Sequence, residues 1–166
     1  MITGTLHISW DCSRNNDSGW NTDKIVEGNW GIASPNYPNE YPNNVSCKWS
    51  IRDLSGGKIE LNIYDIQTEV CRSSLDPSKS CNEPCRYDYL EIHDGNSSQM
   101  GDRLCGNITG LYRKENNSTS SFHHHPSPLF PLKTVVSFTD NLDLYWRSDE
   151  SISSKGFKIS VKTNGK

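Results

Sequence analysis

Apolar residues are scarce in this 166-residue chain: 33% are hydrophobic and the mean hydropathy is −0.74. No apolar run reaches the length that crosses a bilayer as a helix. No segment sustains a helical hydrophobic period, which argues against an all-α or α/β fold. Net charge is only −3, from 17 Lys plus Arg against 20 Asp plus Glu. No basic stripe is present, so a nucleic-acid partner is not expected. A nucleophile elbow of the G-x-S-x-G kind is also missing, and nothing else sets up a catalytic Ser or Cys. We read the chain as non-enzymatic. Met1 to Ser9 lacks the basic start and apolar core of a secretion signal. The chain is therefore expected to be an excised piece of a longer protein or to carry an expression-derived start.

What the chain does have is cysteine. Cys12, Cys47, Cys71, Cys81, Cys85 and Cys105 form an even set in a polar chain. A domain this polar has a modest core and benefits from covalent staples. Disulfides from an oxidising compartment are the first reading, with a zinc knuckle at Cys81-Asn-Glu-Pro-Cys85 as its rival. N-glycosylation sequons begin at Asn16, Asn44, Asn96, Asn107, Asn116 and Asn117. They point independently to an extracellular, glycosylated surface.

Period-two alternation predicts strands at Cys47–Ile51, Ile59–Ile63 with Tyr64 and Ile66, Tyr87–Ile92, Thr134–Phe138, Leu142–Trp146 and Phe157–Val161. Gly56-Gly57, Asp94-Gly95 and Asp140-Asn141 punctuate them as turns. Many short antiparallel strands without helices predict an all-β sandwich or barrel. Asp17–Gly28, Arg72–Pro84 and Asn107–Lys133 read as loops. The last contains His123-His124-His125, which reads as loop rather than as a metal site, since no fixed scaffold holds the imidazoles. Trp20, Trp30, Trp49 and Trp146 are expected in the core or at its rim, and Trp10 in a linker.

In order along the chain, several segments resemble the CUB family. Gly31-Ile-Ala-Ser-Pro-Asn-Tyr-Pro-Asn-Glu-Tyr-Pro42 is similar to its opening motif, and Cys47-Lys-Trp49 to its second cysteine with the following Trp. Leu61-Asn-Ile-Tyr-Asp-Ile-Gln-Thr-Glu69 is similar to a strand ending in an acidic residue. Cys85-Arg-Tyr-Asp-Tyr-Leu-Glu-Ile-His-Asp-Gly95 matches the C-x-Y-D segment leading to D-G. Leu104-Cys-Gly106, Arg147-Ser-Asp149 and Gly156-Phe157 supply the remaining elements. The resemblance implies a disulfide-stapled jelly-roll β-sandwich of short antiparallel strands. It spans residues 12–166, with insertions at 72–84 and 107–133, behind a linker at residues 1–11. It implies the bridges Cys12–Cys47 and Cys85–Cys105. The pair that flanks the extra loop, Cys71 and Cys81, is assigned to each other.

The resemblance also implies a calcium site built from Glu69, Asp88 and Asp149, with Ser151 contributing through its backbone. Three neighbouring carboxylates repel one another, and a hard divalent cation with oxygen ligands relieves that repulsion. The partner expected by the same analogy is an extracellular protein presenting Lys or Arg to Glu69 and Asp149, with Tyr41 and Ser151 nearby. The module is then a secreted or ectodomain part of a larger multidomain or oligomeric protein. Two other functions fit the residues: an accessory exosite domain of a larger secreted protease, and a metal-free glycosylated spacer.

Overall fold

A computed structural model describes residues 4–14, 17–69, 85–95, 97–107 and 133–164, of which 17–21 and 164 by backbone alone. Ten strands run β1 (Thr5–Arg14), β2 (Asp17–Glu27), β3 (Trp30–Ala33), β4 (Val45–Asp53), β5 (Lys58–Gln67), β6 (Tyr89–Asp94), β7 (Ser98–Gln99), β8 (Lys133–Val136), β9 (Asn141–Arg147) and β10 (Gly156–Asn164). β4 shows why the sequence folds this way. Val45, Cys47, Trp49, Ile51 and Asp53 are buried, and the residues between them face outward or are half-buried. That alternation puts one face of the strand on a core. β9 repeats it with Leu142, Leu144 and Trp146.

The strands form two antiparallel sheets, ordered β2-β1-β4-β9-β6-β7 and β3-β10-β5-β8. Among the described residues there is no helix, so none is long and apolar enough to cross a membrane. The two inner faces meet in one aromatic chain. Trp49 packs edge-on to Phe157 at 5.5 Å between centroids, Phe157 lies 5.2 Å from Trp146, and Trp146 meets Tyr41 edge-on at 5.0 Å. Such pairs contribute beyond their buried area. The chain of rings leads from mid-core to one end of the sandwich.

Two of the implied bridges are present. Cys12 and Cys47 face each other in the β1–β4 ladder with Cα atoms 4.0 Å apart. Cys85 joins Cys105 at 5.3 Å and ties the approach to β6 to the segment after β7. Because Cys85 is bonded to Cys105, the zinc knuckle reading fails. Cys71–Cys81, the 72–84 insertion, His123–His125 and the interior of the 107–133 insertion lie outside the described residues.

Two expectations near the N-terminus are corrected. Residues 5–11, expected as linker, open β1: Leu6 and Ile8 are fully buried, and Trp10 packs against the core. Asp17–Gly28, expected as a loop, contains the eleven-residue strand β2. It is an edge strand paired only with β1, and Ile25 on it is 68% exposed. An edge strand with little buried surface leaves no alternation to read.

At the far end of β6, the buried Asp94 carboxylate accepts the Gly95 N–H at 2.7 Å, the Phe138 N–H at 2.6 Å, and the Thr139 N–H and hydroxyl. It thereby pins the 137–140 turn to β6. Burial alone pushes this carboxyl up, but the Thr139 hydroxyl and the three backbone donors outweigh it and hold it below the ordinary range. Asp94→Asn turns one acceptor oxygen into a donor that faces other donors. We expect it to cost about 1–3 kcal/mol at neutral pH, read by urea denaturation. The wild-type advantage is complete above the unfolded-state value of about 3.9 and is lost as pH falls through the lower folded value. Wild type and variant should therefore converge in acid, and a gap that persists there would assign the loss to shape rather than charge.

Candidate metal centre

The site lies where the aromatic chain ends. Tyr41 is 1% exposed. Its ring can lie there because Gly156, at φ +88°, has no Cβ to collide with Ser34 and crowd the ring. The Tyr41 hydroxyl donates to Asp88 Oδ2 at 2.6 Å and accepts the Glu69 N–H at 3.3 Å. Asp88 Oδ1 accepts the Asp149 N–H at 2.7 Å. One phenol and one carboxylate thus join three separate segments: the end of β5, the approach to β6 and the loop after β9.

Neighbouring polar groups fix those segments. Ser148 Oγ donates to the Pro42 carbonyl at 2.8 Å and accepts the Val45 N–H at 3.0 Å. The Asn44 N–H donates to the Asp149 carbonyl at 2.7 Å. Thr68 exchanges bonds with Gly106, N–H to carbonyl at 3.0 Å and hydroxyl from the Gly106 N–H at 2.7 Å. Sequence reasoning gave Ser148 and Thr68 no role. Their signal was position alone, as small hydroxyl residues directly preceding Asp149 and Glu69.

Among the described residues, Glu69, Asp88 and Asp149 each offer a carboxylate oxygen, all within 4.8 Å of one another. Asp88 is 0% exposed, while Glu69 and Asp149 are half-buried at the rim. Ser151 sits beside them, its N–H donating to Asp149 Oδ1 at 3.0 Å. Tyr41 is buried and meets the cluster through its hydroxyl, which is bonded to Asp88 and to the Glu69 N–H. Burial pushes the Asp88 carboxyl up. The Tyr41 hydroxyl and the Asp149 N–H counter this in part, the Asp149 charge adds to it, and the net is a raised value. Glu69 is raised by burial, then by the charges of Asp149 and Asp88. Burial and the adjacent Asp88 hold the Tyr41 phenol far above its ordinary range, so it stays a donor. Glu69 Oε2 is buried and has no hydrogen-bond partner among the described residues.

The donor set fits a hard divalent cation: all oxygen, an excess of negative charge, and one buried carboxylate oxygen left unsatisfied. No nitrogen or thiolate ligand stands among the three, which disfavours a zinc-type centre. Of the sequon residues, Asn44 and Asn107 are exposed, and Asn16, Asn96, Asn116 and Asn117 lie outside the described residues.

The curated proteins that this chain matches are much longer than it. The chain is 27% identical over 129 residues to the dorsal-ventral patterning protein tolloid of Drosophila melanogaster, covering 78% of this chain and 9% of that protein. The full extracellular region of zebrafish Gpr126 superposes with a TM-score of 0.56 at 23% identity, over 84% of this chain and 14% of that one. The CUB2 domain of MASP-1, solved bound to Ca2+, superposes with a TM-score of 0.55 at 23% identity and shares 83% of this chain and 95% of its own. The likeness to both structures is one of fold. The CUB domain model matches residues 22–161, which takes in β3 to β9 whole, parts of β2 and β10, and all three carboxylates. This chain therefore belongs to the CUB domain family of non-catalytic protein-interaction modules.

Proposed function

We propose that this module recognises an extracellular protein partner through a calcium-organised acidic site, with a Lys or Arg of the partner as the group taken. The observation that carries this reading is the convergence of Glu69, Asp88 and Asp149 around one point, with Glu69 Oε2 buried and unsatisfied. Glu69, Asp88, Asp149 and the backbone at Ser151 would hold the ion. Calcium supplies positive charge that offsets the carboxylate repulsion and ties the loops together. Asp88, sealed from solvent and held by Tyr41 and Asp149, is the anchor. Glu69 and Asp149 stand at the rim and offer carboxylate oxygens to a cation arriving from outside. Tyr41 acts through Asp88 and Glu69, as a positioning residue.

A charge-assisted contact of this kind is directional, yet one pair at a wet surface contributes little. Useful affinity then comes from repeating the module within a chain or assembly. This chain spans only 9% of tolloid and 17% of the sea urchin protein SpAN. The same site would serve as an accessory binding domain in a parent of that size.

Calcium that binds only the folded state stabilises it by mass action, by about 2.7 kcal/mol when free calcium is a hundredfold above Kd. Thermal melts and isothermal titration of wild type and Asp149→Ala should show this gain in wild type alone, with the Asp149→Ala fold intact in chelator. Absence of both calcium heat and thermal shift in wild type at millimolar calcium would leave the metal-free spacer as the surviving reading.

Glu69→Gln gives a sharper test because its sign should invert. The folded Glu69 carboxyl ionises above its unfolded value of about 4.3, so its charge is a cost to the metal-free fold at neutral pH and none below that value. In chelator at pH 7, Glu69→Gln should melt at or above wild type, with the difference vanishing near pH 4. In calcium it should melt below wild type, having lost a ligand. Destabilisation of equal size in both conditions would make Glu69 a packing residue and remove it from the site.

A further inference from the structure

We propose that Asn44 carries an N-linked glycan rooted on the rim of the acidic site, where it slows the approach of bulky partners. Of the six sequons, Asn44-Val45-Ser46 is the one whose three residues are all described. Asn44 is exposed and adopts φ +58°, Val45 points into the core at 1% exposure, and Ser46 is exposed again as β4 begins. The left-handed backbone by itself favours Asn at position 44. It gives no reason for Ser46. That hydroxyl makes no hydrogen bond among the described residues, and its ladder neighbours, Ser13 and Arg147, do not engage it. An acceptor sequon accounts for both residues at once.

The placement gives the glycan a consequence. The Asn44 N–H is bonded to the Asp149 carbonyl at 2.7 Å, and the next N–H, of Val45, is bonded to Ser148. The first sugar is thus rooted on an exposed residue whose backbone is bonded directly to the backbone of Asp149, one of the rim acids. A glycan is bulky and hydrated. Calcium and other small ions pass beneath such a chain, whereas a protein surface must displace it. The linkage forms between Asn44 Nδ2 and the anomeric carbon of an oligosaccharide carried on a lipid pyrophosphate. The sugar–phosphate bond breaks, the lipid pyrophosphate departs with the bonding pair, and the amide proton is taken up by a base of the transferase. Ser46 presents the hydroxyl by which the sequon is recognised.

The occupancy of Asn44 is independent of the cation-capture reading, and its effect on partner access rests on it. The whole chain is produced in a eukaryotic secretory host. It is treated with a glycosidase that converts linked Asn to Asp in heavy-oxygen water, and the peptide holding Asn44 is mapped. A heavy-oxygen-labelled aspartate in place of Asn44 is the expected result, and unmodified Asn44 overturns the proposal. Ser46→Ala removes the sequon while keeping Asn at the left-handed position. Intact mass should fall by one glycan with calcium affinity unchanged. Association with a poly-lysine surface in calcium should be several-fold faster for Ser46→Ala than for wild type, and equal rates overturn the access role. If Asn44 is occupied while wild type gives no calcium heat, the glycan assignment stands and only the cation-capture reading falls.

Discussion

The acidic end of this module depends on one buried hydrogen-bonded carboxylate. Asp88 has no exposed surface, and both its oxygens are engaged, one by the Tyr41 hydroxyl and one by the Asp149 N–H. An unpaired carboxylate in that position would be prohibitive, so the segments that supply its donors must come together as the sandwich closes. Tyr41 in turn rests on Trp146, and Trp146 on Phe157. The position of the acidic cluster is therefore set by the core, and the loops that carry Glu69 and Asp149 inherit it.

Asp88 and Asp94 bracket β6 and show how one residue type is driven to opposite ends. Both are buried. Asp94 takes three backbone N–H groups and a hydroxyl, faces no described acid in a cluster, and is held as a stable anion. Asp88 takes two donors and faces Asp149, and its ionisation is resisted. The number of donors and the sign of the nearest charge decide the difference, since burial pushes both the same way. Asp94 is a structural anion whose needs are met inside the fold. Asp88, with Glu69 and Asp149 beside it, has charge left over, and perturbed acids of this kind concentrate where a site awaits an external ligand.

How much of this could be read from the sequence differs residue by residue. β4 and β9 were legible because each presents alternate side chains to the core and alternate ones to water. β1 was missed. Thr5–Arg14 does alternate, with Leu6, Ile8 and Cys12 inward, but the position of residues 5–11 before the first cysteine of the family pattern made them look like a linker. β2 carries no usable pattern because an edge strand is held by its ladder bonds more than by a buried face. Glu69, Asp88 and Asp149 were legible only through family motifs, since nothing in local periodicity brings residues so far apart in the chain to one point. Tyr41 shows the limit of that route. The resemblance implies a tyrosine hydrogen-bonded to the acidic cluster, yet only packing on Trp146 reveals that it is buried and bonded to Asp88 and the Glu69 N–H.

Burial also separates the tasks of the three acids. A carboxylate sealed like Asp88 cannot meet a partner without opening the fold, whereas Glu69 and Asp149 can share their oxygens with something outside. A site with one sealed anchor and two rim acids is rigid from within and small from without. In the proposed role its contact with a partner would be a few charge-assisted bonds at a wet edge, strong enough to orient and too weak to hold alone. Selectivity must then come from what surrounds the acids and from how many such sites act together. Asn44, bonded to the same loop that carries Asp149, places the first of those surroundings within the module itself.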